Sequence, residues 1–198
     1  LYSCEDLWCQ MFSEPDAGSD LAGLSTRAVR DGDEWVINGQ KVWTSLAHLA
    51  DRSLLLARSD PSLPKHRGIT AFLIDMRDPA VEVRPLRQMT GEAEFNEVFF
   101  TDTKIHDSEM LGKAGDGWRV SLTTLMNERT AIGGSGSGGG LLTGGGAIGK
   151  LIEIYKETGN DSAVERDEVT QLWIRAEVLR LTNMRAAQLA RGGNPGPE

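Results

Sequence analysis

The hydrophobic pattern of the chain changes period once, near residue 112, and that change limits the folds open to it. Before it, apolar residues come in short β-rich runs: Thr26–Arg30, Glu34–Ile37, Gln40–Ser45, Ser53–Ala57, Ile69–Ile74, Val81–Val83 and Glu97–Phe100. Turn residues rich in Pro, Asp and Gly separate them, and no helical stretch intervenes. Asp31-Gly32-Asp33 reads as one turn. Asn38-Gly39 reads as a second, a two-residue hairpin, because both central residues of such a turn need positive φ. Many short strands without helices between them predict a barrel or sandwich rather than a parallel sheet.

After residue 112 the period becomes helical. Trp118, Leu122, Leu125, Arg129 and Ile132 recur at spacings of 4, 3, 4 and 3, one face of a helix. Residues 133–149 are glycine-rich and read either as a flexible linker, the favoured reading, or as a backbone that passes close to other elements. Further helices are predicted over 151–157 and 162–190, with Asp161 as N-cap and Gly192-Gly193 as a stop. No solenoid-type repeat is present.

Composition narrows the function. The 198 residues carry a net charge of −8, which argues against nucleic acid or an anionic membrane surface as the main partner. A hydrophobic content of 39% and a charged content of 25% fit an ordinary globular protein. The two cysteines, Cys4 and Cys9, and the separated His48, His66 and His106 have no zinc-ligand spacing, so no metal site is expected. No apolar run approaches the roughly 20 residues that span a bilayer. A reducing cytoplasm is the default compartment. The start at Leu1 and the Pro/Gly-rich end at Glu198 read as those of a fragment.

The chemistry concentrates in two places. In Cys9–Asp20, a turn at Gly18-Ser19 can point successive backbone N–H groups outward as a nest for phosphate oxygens, with the Ser19 hydroxyl as a further donor. From the residues alone, the favoured reading is a plain surface turn in which Ser19 caps Asp20–Gly23. In the helical half, Arg129 falls in the middle of an apolar face and needs an anionic or carbonyl partner there. Glu128 sits at its flank, where a local ion pair or a solvated edge is the plainer reading.

Ser13-Glu14-Pro15-Asp16-Ala17-Gly18-Ser19-Asp20 resembles the signature of the acyl-CoA dehydrogenase family. The similarity continues through Asp31–Ser45, Leu54–Arg58, Gly112–Trp118 and Asn127-Glu128-Arg129, in the family's order. The resemblance implies an α+β protein: an antiparallel β-barrel middle domain over residues 1–112, then helices of a four-helix bundle over 113–198. On that reading the N-terminal helical domain and the final helices lie outside the chain, and these residues alone turn over little substrate. FAD would sit between middle and C-terminal domains. Gln10 to Ser13, Phe12 included, would line the flavin ring, with the Ser13 hydroxyl near N5. Gly18 and Ser19 would meet the FAD pyrophosphate or the substrate's pantetheine end. Trp43, Thr44 and Ser45 would form the second flavin contact, with Trp43 covering a ring face. From the residues alone, Trp43 reads equally as a core aromatic and Ser13 as an ordinary strand serine.

The resemblance implies FAD-dependent α,β-dehydrogenation of an acyl-CoA. A glutamate would take the α-proton while hydride passes to flavin N5. Some members place that base at the position of Glu128; others carry it beyond Glu198. Arg129 would touch the acyl-CoA. The implied partners are acyl-CoA, an electron-accepting flavoprotein and other subunits of a homo- or hetero-oligomer; the implied location is cytoplasmic, or the mitochondrial matrix in a eukaryote. The chain departs from the family at Met11-Phe12, where a small and an aliphatic residue are usual. It lacks an Arg-x-x-Phe-Gly motif and reads Ile152–Gly159 instead. These departures keep two alternatives open: a non-catalytic or partner subunit of a hetero-oligomer, and a related flavin oxidase or monooxygenase.

Overall fold

A computed structural model describes residues 5–135, 146–159 and 162–190, with the side chains of 5–128, 146–159 and 162–189. The chain divides into two compact units, Leu1–Thr124 and Leu125–Glu198.

The first unit is a mixed sheet of eight strands: β1 (Trp8–Met11), β2 (Arg27–Asp31), β3 (Glu34–Ser45), β4 (Arg52–Arg58), β5 (Ile69–Asp75), β6 (Val81–Leu86), β7 (Phe95–His106) and β8 (Met110–Leu111). Their order is β6-β7-β3-β2-β4-β5-β8, with β1 paired to β4 off this path. The expected antiparallel barrel is corrected on two counts. Both β1 and β2 pair with β4 in parallel, β2 only at Arg27 and Arg58. The sheet is also open, because its end strands cannot close on each other. β6 carries the exposed Glu82, Arg84 and Pro85 along its edge, and β8 is two residues long. Charge and proline blunt a strand edge against further pairing.

The turn at Gly32-Asp33 joins β2 to β3, with Asp31 opposite Glu34 and Gly32 at φ 66°. The second predicted hairpin is absent. β3 runs straight through Asn38-Gly39, and the register against β7 shifts there as a bulge. Long-range contacts win over the local turn preference. Asn38 Nδ2 donates to Asp102 Oδ1 at 2.9 Å, and Asp102 N donates to Asn38 Oδ1 at 3.0 Å. Gly39 (φ 151°) lies so close to Thr26 that a Cβ would sit 2.6 Å from its Oγ1 and 2.7 Å from its Cα. Glycine is there for close approach, not for a turn.

The core collects the inward faces of the strands: Met11, Ile37, Leu55, Phe72 and Val98 are fully or almost fully buried. Trp35 packs on Phe72 with ring centroids 5.4 Å apart. Each such side chain contributes about 1.5–3 kcal/mol of burial. β4 and β5 read as unbroken apolar runs because they are covered on both faces.

One ion pair lies inside this sheet. Lys41 has no exposed surface and Glu14 only 5%. Lys41 Nζ stands 2.7 Å from Glu14 Oε1 and donates to the Phe12 carbonyl at 3.1 Å. Glu14 also accepts from Ser25 N at 2.6 Å, Ser25 Oγ at 2.8 Å and Thr26 N at 2.9 Å. Burial pushes the Glu14 carboxyl upward, but the Lys41 charge and these donors outweigh it and hold the pKa at about 2. Burial pulls Lys41 down to about 8 although Glu14 opposes it. Both groups are therefore charged at neutral pH.

Helix α1 (Gly117–Ser135) belongs partly to each unit. Its first turns back onto β5 through Gly117, where a Cβ would lie 2.8 Å from Ile69 C and O, and through the buried Ser121. The predicted helix is present, and of its apolar face Trp118 and Leu125 are half-buried while Leu122 is 43% exposed within the chain. The second unit contains α2 (Ala147–Glu157) and α3 (Ala163–Ala190), which contact each other. α1 runs through Gly133-Gly134; the rest of the glycine-rich stretch to residue 145, Asp161, Gly192-Gly193 and Cys4 lie outside the described residues. No helix among those described is long and apolar enough to cross a membrane.

Two outcomes are expected in a protein that contains this chain. Gly39→Ala should cost about 2–4 kcal/mol in urea unfolding, through the clash with Thr26 and the φ it must keep. Glu14→Gln should cost about 3–5 kcal/mol by stranding the buried Lys41, and Glu14→Gln with Lys41→Met should recover much of that. The Glu14 contribution is fully present above its ordinary value of 4.5 and is lost as pH falls toward about 2. The wild type should therefore lose stability through that window more steeply than the double variant.

Candidate functional site

The ion pair brings two segments together at the solvent side of the sheet. One is the end of β1, Gln10 to Ser13. The other is the end of β3, Trp43 to Ser45. Val42 N donates to the Ser13 carbonyl at 3.0 Å, so the segments are directly joined. Met11 and Phe12 turn into the interior, and Ser13 remains half-buried. The Ser13 hydroxyl makes no hydrogen bond among the described residues.

β3 changes face between Lys41 and Thr44. Trp35, Ile37 and Lys41 point inward at a period of two; beyond Lys41 the inward residues are Val42 and Thr44. The register shows the cause. Lys41 pairs with Val98 and Thr44 with Asn96, three steps on β3 against two on β7. The extra residue makes a bulge. Trp43 sits in it at φ 59°, left-handed for a bulky side chain, and is 62% exposed. The core-aromatic reading of Trp43 is thereby excluded. Its ring stands nearly perpendicular to that of Phe95, with centroids 6.1 Å apart, and most of its surface is exposed. Ser45 is exposed, whereas Thr44 is buried with an Oγ1 that has no partner.

The residues predicted for the flavin thus divide. Ser13, Trp43 and Ser45 keep accessible surface on the two joined segments, and Gln10 is half-buried on β1. Phe12 and Thr44 do not: Phe12 is 4% exposed and Thr44 1%. The Phe12 carbonyl is moreover taken by Lys41. An open aromatic face beside hydroxyls without partners fits a flat, polar-edged ring such as a flavin.

Gly18 and Ser19 are exposed ahead of a single 3₁₀ turn, Leu21–Gly23. Ser19 does not cap that turn; the closing bond runs from Gly23 N to Asp20 O. Asp20 holds Lys65 at 2.7 Å. Lys65, Arg27 and Arg58 line a neighbouring open cavity of about 370 Å³. Arg58 spends its guanidinium on the carbonyls of Ala22, Leu24 and Lys65, which leaves Arg27 as the cation there without a hydrogen bond among the described residues.

Glu128 lies exposed on the part of α1 that belongs to the second unit. The Arg129 side chain is outside those described. Lys41, Asn96 and His48 were not singled out by sequence, yet all three shape the site. A signal for Lys41 existed: it shares the parity of Trp35 and Ile37 and so falls on the inward face.

Comparison with known proteins agrees with this arrangement. Residues 9–103 match the acyl-CoA dehydrogenase middle domain. The chain is 46% identical over 195 residues to acyl-CoA dehydrogenase FadE34 of Mycobacterium tuberculosis, covering 98% of this chain and 26% of that protein. It is 43% identical over 176 residues to acyl-CoA dehydrogenase IpdE1 of the same organism, covering 88% and 45%. Among solved structures, a variant of the Tcur3481-Tcur3483 steroid ACAD matches with a TM-score of 0.83 at 28% identity, over 96% of this chain and 48% of that one. The chain therefore spans between about a quarter and a half of the length of these relatives. Its motifs, its sheet and these matches agree, and the chain belongs to the acyl-CoA dehydrogenase family, as its middle domain and part of its C-terminal domain.

Proposed function

We propose that the protein containing this chain is an FAD-dependent acyl-CoA dehydrogenase, and that residues 1–112 form its flavin-facing domain and 113–198 the start of its helical domain. The observation that carries the reading is the hydrogen bond from Val42 N to Ser13 O, which joins the segment of Ser13 to the stretch of β3 that carries the exposed Trp43. When bound, FAD supplies the acceptor for the substrate's β-hydride. The chain's own residues hold and shield it. Trp43 covers a ring face and excludes water, Ser13 and Ser45 offer hydroxyls to the ring's polar edge, and Gly18-Ser19 offers donors to a pyrophosphate or pantetheine. Arg27, in its open cavity near that turn, suits the anionic end of an acyl-CoA.

Removal of the α-proton needs a carboxylate near the thioester, with hydrogen bonds to the carbonyl to stabilise the developing enolate. Glu128 is the base that this chain offers, and Arg129 the residue that meets the substrate. The alternative position for the base lies beyond Glu198, in which case these residues by themselves turn over little acyl-CoA. Two structural relatives are of paired proteins, the Tcur3481-Tcur3483 steroid ACAD and the ChsE4-ChsE5 complex. They favour the second reading, in which the protein works as one subunit of a hetero-oligomer that passes electrons to another flavoprotein. They also put steroid-derived thioesters first among substrates to try.

The test is spectroscopic and uses the full-length protein, with its natural partner if it has one. Visible flavin absorbance and anaerobic bleaching by an acyl-CoA are expected; a colourless protein that takes up no FAD, alone or with a partner, would sink the reading. Fast reoxidation by air would make it an oxidase instead. Trp43→Ala should weaken FAD binding roughly fivefold to tenfold, the worth of one aromatic stack, in a flavin-fluorescence titration. Glu128→Gln should abolish bleaching while flavin is retained if Glu128 is the base.

A further inference from the structure

The left-handed bulge at Trp43 is costly, and one buried side chain holds it from behind. Asn96, on β7 opposite Thr44, has no exposed surface. Its Nδ2 donates to the Thr44 carbonyl at 2.9 Å and to the Glu94 carbonyl at 3.2 Å. Its Oδ1 lies 3.1 Å from His48 Nδ1. Two carbonyl oxygens on one side of the amide admit only the NH₂ group there. Oδ1 therefore faces His48, and His48 must carry its proton on Nδ1 to donate.

This makes a chain of fixed direction: His48 to Asn96, and Asn96 to the backbone of Thr44, the residue between Trp43 and Ser45. The other side of the bulge is tied by Val42 N to Ser13 O, and the residue after Ser45 by Leu46 N to Glu94 O at 2.7 Å. Leu46 is also left-handed, at φ 56°. Nothing in simple sheet pairing asks for a fully buried asparagine there; an aliphatic residue would fill the space without a polar cost. Asn96 earns its place only if the Thr44 and Glu94 carbonyls must be held in this off-register arrangement.

We propose that Asn96, oriented by His48, is a positioning residue that locks the β3 bulge and so aims Trp43 and Ser45 at the ligand. Neither Asn96 nor His48 touches the ligand in this proposal; both act through the bulge. The proposal deepens the flavin reading and rests on it for the ligand's identity, but its geometric content does not need the ligand. Losing the Asn96 amide releases the Thr44 carbonyl, and Trp43 relaxes out of the left-handed region. Losing His48 leaves Asn96 in place but unlatched, with a milder effect of the same kind.

The experiment labels the full-length protein with 5-fluorotryptophan and assigns the Trp43 fluorine resonance by its disappearance in Trp43→Phe. In Asn96→Asp, whose carboxylate cannot donate to the two carbonyls, the Trp43 line is expected to shift or broaden while the Trp35 line stays. His48 is exposed, so His48→Ala keeps the fold testable should Asn96→Asp fail to fold; the Trp43 line should move there too. His48→Gln, which restores an amide donor, should return it. Where flavin is bound, Asn96→Asp and His48→Ala should also lower kcat by several-fold with less change in KM and shift the flavin absorption band. A Trp43 line unmoved in folded His48→Ala overturns the proposal. So does a loss of thermal stability with Trp43, the flavin band and kcat all unchanged, since that is what a merely structural role would give. Absence of flavin from the wild type would defeat the functional reading alone, because the fluorine measurement would still decide whether Asn96 sets the bulge.

Discussion

The rest of the sheet is organised around the buried charge of Lys41. A lysine without exposed surface costs several kcal/mol unless its ammonium finds an opposite charge and further acceptors. Here it finds Glu14 and the Phe12 carbonyl, and Glu14 in turn takes three donors from Ser25 and Thr26. Four pieces of chain therefore have to meet at one point: the end of β1, the segment entering β2, the turn between them, and the centre of β3. Apolar packing alone would tolerate sliding of these segments past each other. A charge pair with named donors does not, because each displaced partner leaves a buried group unsatisfied. Its contribution is to register more than to net stability, since a buried pair against well-packed apolar residues roughly breaks even.

Register is what the site needs. With Lys41 anchored inward, the next residues of β3 can present Trp43 outward beside Ser13 only if the strand gains a residue. The bulge supplies it, and Val42 N to Ser13 O closes the junction. The signature Ser13-Glu14-Pro15 and the block around Lys41 are thus two halves of one device. Ser13 keeps part of its surface accessible while Glu14, next to it, is the buried partner of Lys41. Alternation along an extended chain is enough to give adjacent residues such different duties.

What was legible in the sequence follows the range of the interactions. Period-two runs located the strands, and the helices appeared where the period became helical, because burial of one face is a local pattern. The turn at Gly32-Asp33 was legible for the same reason. Asn38-Gly39 misled because its determinants are remote: Asp102 on β7 and Thr26 before β2 override the local preference for a turn. The two-residue β8 carried no period to detect, and β1 was visible only through its motif. Closure was illegible too, since an open or closed sheet depends on whether its end strands meet, which no local pattern encodes. Phe12 shows the limit of motif transfer. Position in a signature said that it borders the flavin, whereas its residue type read as packing, and the side chain does turn inward. Asn96 was hidden just ahead of the predicted run Glu97–Phe100, where a polar pair, Asn96-Glu97, gives no sign of which member is buried.

The energetics of the bulge explain why so many polar groups cluster behind one tryptophan. Holding a bulky residue left-handed costs of order 1–3 kcal/mol, and Leu46 adds a second such residue three positions on. A typical hydrogen bond returns only about 0.5–1.5 kcal/mol net. One bond cannot support the distortion, but the set on Ser13, Thr44 and Glu94 is of the right size to do so. An exposed Trp43 buries little that would help, at 62% exposure. The strain is therefore balanced by bonds to the backbone around the tryptophan and not by packing of its ring. That division leaves the ring face free for a ligand while its direction is set from inside the sheet. A tryptophan placed by its own packing would have had to spend on the core the surface that it here keeps open.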